Sequence, residues 1–585
     1  MGLTPEQVAL VQSSWAKVVS IADAAADLFY EKLFELDPDL RPLFPDDMCE
    51  QKEKLMKMIS LAVEGLDDLG GLVPKVEDLG RRHAKLYLVT PQMYRTVGAA
   101  LLDTLEKGLG DGWDEEHKEA WTLVYGVLSK TMIDAAEAEN PPAQIAVIGC
   151  GWWAQGWHLP HLAANAPRVK IAAIVDSSKT PVSTLSSSPL LSLAELSEKY
   201  NCLCFKSVSE MLASPIGPRL DGAIVATSHA SHFDVGMSLL NEGIYRRQMA
   251  EGDVHRTLSI LMEKPMTTNV VEARRLWEMS SQKYPEAAFI INHTASYRPQ
   301  THVARNIISS NEIGKIRHIS ASMNGPLMWL FDDPKNHSWV SKTPWKTGTF
   351  PSKEEENAAD EKAAMHGNGY AWGQIAHILA WIYQVVGADD VAVPREVYCT
   401  MRHAVNTGAD VALVAVITCL DGVVFSLTGT ALLPGSQYAD PPIGKQIRIE
   451  LYGDSGCLTY GGDDRLPESG RLELRKTAPG KATDGQSEFP CSDRNWSEQL
   501  GGELATNLKD GFYFEDGEQS GTGPGSMKAF LDACTTSSSQ YFEGKDPSSP
   551  ADNDSLIGLR TVQIIDCMYR SSISGNVEKI DAEEL

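Results

Sequence analysis

Gly149-Cys150-Gly151-Trp152-Trp153-Ala154 closes an apolar run of strand length, Gln144-Ile145-Ala146-Val147-Ile148. Glycines spaced this way between a strand and a helix suit one task. Gly149 permits the tight turn, Gly151 lets a pyrophosphate approach the backbone, and Ala154 is small enough for close helix–strand contact. Orphan amides at the helix start would bind the anion. Asp176 ends the next strand-like run, KIAAIV, 25 residues after Gly151. A carboxylate there accepts hydrogen bonds from both ribose hydroxyls of a dinucleotide and repels a 2′-phosphate, which favours NAD. Lys179, three residues on, could meet such a phosphate, so NADP stays open.

The elements that must hold these residues change character along the chain. Up to about residue 139, helix follows helix. Thr4-Pro5-Glu6-Gln7 offers a capping hydroxyl, a proline at the first helical position and a glutamine able to reach back. Val8, Val11, Trp15 and Val18 then recur at helical spacing. Asn140-Pro141-Pro142 stops this pattern and stiffens a short linker. Strand-like and helix-like runs alternate from there to about residue 290, which implies βαβ units and a parallel sheet. From residue 291 to 585 the strands lengthen and become amphipathic (IRHISASMNG, DVALVAVITCL, QIRIELYG), as in a large open, mostly antiparallel sheet. The run SLIGLRTVQIIDCMYRSSISG reads as a closing helix. The expectation is three domains: all-α over 1–139, α/β over 140–290, and α+β over 291–585.

Charge and composition narrow the partners. Lys and Arg total 52 against 78 Asp and Glu, a net charge of −26. Such a surface repels phosphate backbones and anionic lipid, so nucleic acid and membranes are not expected partners. The N-terminus has no basic, then apolar, signal pattern. No run reaches the eighteen or so apolar residues of a spanning helix. The ten cysteines are scattered, and Cys202/Cys204 match no zinc or redox spacing. A reduced, cytoplasmic protein is expected.

Within the helical region, Phe29-Tyr30-Glu31-Lys32-Leu33-Phe34, Pro42-Leu43-Phe44-Pro45, Leu79-Gly80-Arg81-Arg82-His83 and Ala120-Trp121…Tyr125-Gly126 occur in that order. Their order and spacing resemble bacterial single-domain globins and the haem domain of flavohaemoglobins. The resemblance implies haem b, with His83 as the proximal iron ligand and Phe44 against the porphyrin face. Tyr30, Gln51 and Leu55 would line the distal side, where a phenol and an amide can donate to bound O2 or NO. Between His83 and Tyr94 the text is one residue longer than the pattern of the family, so neither Tyr94 nor Glu137 is assigned a proximal hydrogen bond.

In the larger part, the glycine turn, Val225 to Phe233 (VATS-xxxH-F, with Thr227), Met262-Glu263-Lys264-Pro265 and Gly314-Lys315-Ile316 together resemble the Gfo/Idh/MocA family of NAD(P)-dependent sugar and dihydrodiol dehydrogenases. The resemblance implies that Glu263 and Lys264 lie by the nicotinamide, that Lys264 and His377 are catalytic, and that the C-terminal sheet forms a homo-oligomer. The family carries an aspartate one turn before the histidine. This chain has Gly373 there, with Gln374 or Tyr297 as possible substitutes. Ile244–Leu258 intervenes before the Glu-Lys-Pro motif, either as a loop over the nicotinamide pocket or as an error of the gene model. Residues 335–364 form a second candidate loop near the substrate.

Joined, the two resemblances imply a haem-binding globin fused to an oxidoreductase that transfers hydride to or from a small sugar, polyol or diol substrate, gated by O2 or NO. Two alternatives are a gas-sensing protein with a catalytically weak nucleotide-binding domain, and a globin of the NO dioxygenase type. Hydride carries two electrons and ferric haem accepts one. Flavohaemoglobins bridge that difference with a flavin module that this chain's second part does not resemble.

Overall fold

The computed structural model describes residues 4–580 except 46, 88, 90, 140, 184–188, 250–256, 334–368, 390, 437–439, 442, 464–469, 477–520 and 536–553. The candidate loop at 335–364 falls outside the described residues, as does the side chain of Glu137. Two compact units emerge, Met1–Pro142 with Ala166–Arg168, and Ala143–Asn165 with Val169–Leu585.

The first unit holds α1 (Pro5–Val19), α2 (Ala22–Leu36), α3 (Cys49–Glu64), α4 (Leu69–Tyr87), α5 (Pro91–Leu109) and α6 (Glu115–Glu139). The capping box forms as expected: Thr4 Oγ1 accepts from the Gln7 amide while the Gln7 side chain accepts from the Thr4 amide. Val8, Val11, Trp15 and Val18 are buried. Two indoles tie distant helices together, Trp15 donating to Ser60 (3.0 Å) and Trp121 to Ser14 (2.9 Å). Helices α4 and α6 cross at backbone distance, because a Cβ on Gly80 would stand 2.2 Å from the Met132 carbonyl oxygen.

The second unit begins with a six-stranded, all-parallel sheet in the order β3-β2-β1-β4-β5-β6. Its elements are β1 (Ala143–Ile148), α7 (Leu159–Ala164), β2 (Val169–Val175), α8 (Leu193–Tyr200), β3 (Leu203–Phe205), α9 (Val208–Ala213), β4 (Gly222–Val225), α10 (His229–Met249), β5 (Ser259–Met262), α11 (Val270–Glu278) and β6 (Phe289–Ile291). Strands buried on both faces read as continuous apolar runs. Because all six run the same way, the residue after each strand emerges on one edge, and the strand order reverses beside β1.

The extra text before the Glu-Lys-Pro motif resolves in part. Ile244–Met249 extend α10, and Arg246 donates to Glu242 and to the carbonyls of Leu220 (2.7 Å) and Gly217. Both carbonyls precede β4, so this segment lies at the amino edge of the sheet. Residues 250–256 of the candidate loop lie outside the described residues.

After α12 (Pro299–Ser309) comes a mixed eight-stranded sheet, ordered β13-β12-β11-β7-β10-β9-β8-β14. Its elements are β7 (Ile316–Asn324), α13 (Met328–Phe331), α14 (Ala376–Val386), β8 (Pro394–His403), β9 (Asp410–Cys419), β10 (Val424–Thr430), β11 (Gln446–Gly453), β12 (Gly456–Asp463) and β13 (Arg471–Lys476), closed by β14 (Glu578–Lys579). Only β7 and β10 pair in parallel. Two late helices return to brace the rest: α15 (Gly525–Thr535) packs on β1, β4 and β5, and α16 (Asp554–Ser574) is sunk against α11, α14, β6 and β8. The expected closing helix is α16.

Gly80→Ala would force α4 from α6, at a cost of roughly 1–3 kcal/mol or more. The expected result is an earlier helical transition in chemical unfolding, with dinucleotide affinity unchanged.

Candidate functional site

The carboxyl edge of the parallel sheet is stitched strand to strand. Gly149 N–H donates to Val175 O, Ala226 N–H to Ile148 O, Glu263 N–H to Val225 O, and Asn292 N–H to Met262 O. Gly149 has φ +89°, and a Cβ there would meet the Ala226 carbonyl at 2.6 Å, so the turn requires glycine. Around Gly151 a Cβ would meet nothing within 4 Å, which leaves the backbone open to a ligand. Ala154 is fully buried. The Asp176 carboxylate accepts from the amides of Cys150 and Ser178, both at 2.8 Å, and so stands against the glycine turn. These features fit a dinucleotide. Thr227 follows β4, and its carbonyl meets His232, whose other ring nitrogen lies 2.9 Å from Pro265 O. That imidazole ties the end of β4 to the Glu-Lys-Pro turn.

Glu263 is the most heavily bonded acid here. One carboxylate oxygen accepts from Trp153 (2.7 Å), Asn292 (2.7 Å) and His158 (2.9 Å); the other faces the Lys264 amide at 3.2 Å. Burial pushes its pKa up, but these bonds and the charges of His158 and Lys264 bring it down to about 2. Asn292 is held in turn by Ser526 of α15, which donates to its carbonyl oxygen at 2.6 Å. Lys264 donates to the Gly373 carbonyl at 2.6 Å, and burial lowers its pKa to about 8 despite the neighbouring carboxylate.

Gly373 sits in a π-helical turn, Ala371–Ile375, that leads into α14 and His377. The ring of His377 meets His293 edge to face, with centroids 5.7 Å apart. Burial, then the charge of Lys264, drives both imidazoles toward the neutral form, His293 to about 3 and His377 well below the usual range. The edge thus unites Glu263, Lys264 and His377, and adds His293, Trp153, His158 and Asn292, which sequence reasoning did not single out. The tryptophans were visible only as the x-x of the glycine motif. Tyr297 turns away from this role, since its hydroxyl donates to Asp554 on α16.

In the helical unit, His83 Nδ1 lies 3.1 Å from the Tyr94 hydroxyl, and Tyr125 donates to the Tyr94 carbonyl at 2.6 Å. Burial lowers the His83 pKa and raises that of Tyr94 to about 12, so a neutral imidazole faces a neutral phenol. Holding one ring nitrogen orients a histidine for metal through the other, which fits iron ligation. The extra residue before Tyr94 is absorbed without losing that contact. Tyr30 meets Phe44 edge to face at 5.5 Å, and its hydroxyl reaches the backbone carbonyl of Gln51 at 3.4 Å. Leu55 packs on the same core. No group of three or more His, Cys, Asp or Glu able to hold a bare metal ion occurs among the described residues, and no helix there is long and apolar enough to cross a membrane.

A parallel sheet wound in this order around a glycine turn defines a dinucleotide-binding domain, and a helical unit built around His83 and Tyr30 has the makings of a haem domain. Residues 27–132 match the globin family and residues 143–285 the Gfo/Idh/MocA oxidoreductase family with its NAD-binding Rossmann fold, so the chain carries a globin domain and a Gfo/Idh/MocA NAD-binding domain. A flavohemoprotein of Vibrio cholerae is 29% identical over 137 residues, 23% of this chain and 34% of the relative, so the match spans about a third of that protein. Two solved structures cover 75% of this chain and 99% of their own. They are an oxidoreductase domain protein from Kribbella flavida (18% identical, TM-score 0.50) and levoglucosan dehydrogenase in complex with NADH (14%, TM-score 0.51). At those identities the likeness is one of fold.

The buried Asp554 offers a stability test. Burial raises its pKa to about 8, against roughly 3.9 unfolded. Its stabilising share is complete below the unfolded value and is lost as pH rises through the folded one. Asp554→Asn cannot ionise. Its melting temperature should match wild type near pH 4, with an advantage that grows up to about pH 8 and then levels off.

Proposed function

We propose that the chain binds haem b through His83 and, in its larger part, oxidises a hydroxyl of a sugar, polyol or diol with NAD, or reduces the corresponding carbonyl. Support comes above all from one juxtaposition: an ammonium, Lys264, and a neutral imidazole pair, His377 and His293, beside the strand ends that carry the open glycine turn. Bound nicotinamide would supply the hydride acceptor or donor. Asp176 against the turn favours NAD over NADP, because its charge repels a 2′-phosphate.

The residues divide the remaining work. His377, kept neutral by burial, accepts the hydroxyl proton. Lys264 donates to the same oxygen as negative charge develops there. Glu263, ionised and fully bonded, holds Lys264 in place and sustains its charge. The Gly373 carbonyl takes over, as an anchor for Lys264, part of what the family aspartate would do. It is a dipole rather than a charge, which favours a second reading of nucleotide binding with weak turnover. At the haem, neutral Tyr30 would donate to bound O2 or NO. Gas ligation acts on this reading as a regulator, since hydride and ferric iron differ in electron count.

The test is NADH absorbance across a panel of sugars and polyols, beside the visible spectrum. Lys264→Ala should lower kcat by roughly 10²–10³. In wild type, kcat/KM should fall as pH rises through about 8, where Lys264 loses its charge, and hold below the usual histidine range. Tight NAD binding with no turnover across the panel would favour the second reading. His83→Ala should abolish the Soret band and leave dehydrogenase activity in place.

A further inference from the structure

Helix α14 and the turn before it place Gln374, His377, Trp381 and Gln384 three and four residues apart, along one helical face. Against them pack the turn after β6 and helix α12, which carry His293, Ser296 and Gln300. One end is pinned by the His293–His377 contact, the other by Arg305, which donates to the Gln384 carbonyl at 3.4 Å. Between these ends lie buried polar atoms that no group among the described residues pairs: both ring nitrogens of His293, the Ser296 hydroxyl, an amide oxygen each of Gln300 and Gln374, both amide atoms of Gln384 and the Trp381 indole N–H. His293 and Gln384 are each 1% exposed. Buried polar groups in folded proteins are paired, by protein or by ordered water, and waters settle where several such groups converge.

We infer that this seam is a hydrated proton path from His377 to the surface beside Arg305. It rests on the alcohol-oxidising reading above. When the hydroxyl is oxidised, bound nicotinamide would take the C–H hydrogen with its electron pair, and the O–H proton passes to His377. The imidazolium so formed must lose that proton before His377 can serve the next turnover. His293 and the waters held by Ser296, Gln300 and Gln384 hand it along, each taking one proton and releasing another.

The test uses the full chain. His293→Phe keeps the ring and removes its nitrogens; Gln384→Leu dries the far end, away from the hydroxyl. Both should lower kcat roughly tenfold or more with KM within about twofold, enlarge the solvent isotope effect, and recover when imidazole is added to the buffer. A crystal structure should show bonded waters along the seam. A dry seam overturns the proposal, and so does unchanged kcat in both variants or a loss that imidazole does not restore. Absence of turnover with every sugar and polyol counts against the functional reading instead; the waters then decide the seam alone.

Discussion

A buried carboxylate must be paid for in hydrogen bonds, and Glu263 sets that requirement for the whole second unit. Its three side-chain donors come from the glycine-turn helix (Trp153, His158) and the end of β6 (Asn292), and Asn292 leans on Ser526 from near the far end of the chain. A charge next to water would need none of this. Sunk at the end of β5, it fixes four segments relative to one another and carries Lys264 with it. The ammonium next door keeps its proton near neutrality because of that carboxylate, although burial alone works against it. The candidate site and the fold are here one network, so loosening a distant member such as Ser526 bears on the lysine.

Both units treat histidine in the same way and then diverge. Burial lowers the pKa of His83, His293 and His377 alike, which yields neutral imidazoles. The partner of each ring then decides its use. His83 has a phenol on Nδ1, and so presents an oriented ligand suited to iron. Neither ring nitrogen of His293 has a hydrogen-bonding partner among the described residues, and the ring lies edge-on to His377. One physical device, desolvation, thus yields neutral imidazoles in both units, suited on the proposed reading to coordination in one and acid–base chemistry in the other.

Much of this was legible in the sequence because it is local. A glycine turn after an apolar run, the capping box at Thr4, and the shift from helical to alternating periodicity each announce themselves within a few residues. Glu263, Lys264 and His377 stood out through motif text. His293, His158 and Ser526 did not, because nothing near them in the chain says that they meet; the parallel sheet brings them to one edge from positions hundreds of residues apart. Tyr94 went unassigned for a related reason. Counting residues from His83 suggested a misfit, but a helix entry can absorb one residue without moving the side chain off its target. Of the extra text at 244–258, Ile244–Met249 continue α10, while residues 250–256 lie outside the described residues.

Gly373, where the resemblance to the family leads one to expect an aspartate, obeys the same physics. An aspartate next to two buried imidazoles would raise their pKa values and draw a proton onto the pair. With glycine there, the histidines stay neutral, and Lys264 finds its acceptor in the backbone instead. A carbonyl made available by a π-helical turn offers direction without charge. The site therefore trades electrostatic strength at the imidazole for a lysine held from two sides, by Glu263 through charge and by Gly373 through a hydrogen bond. On the proposed reading, that trade suits a centre in which the lysine would steady developing negative charge and the imidazole would only pass the proton on.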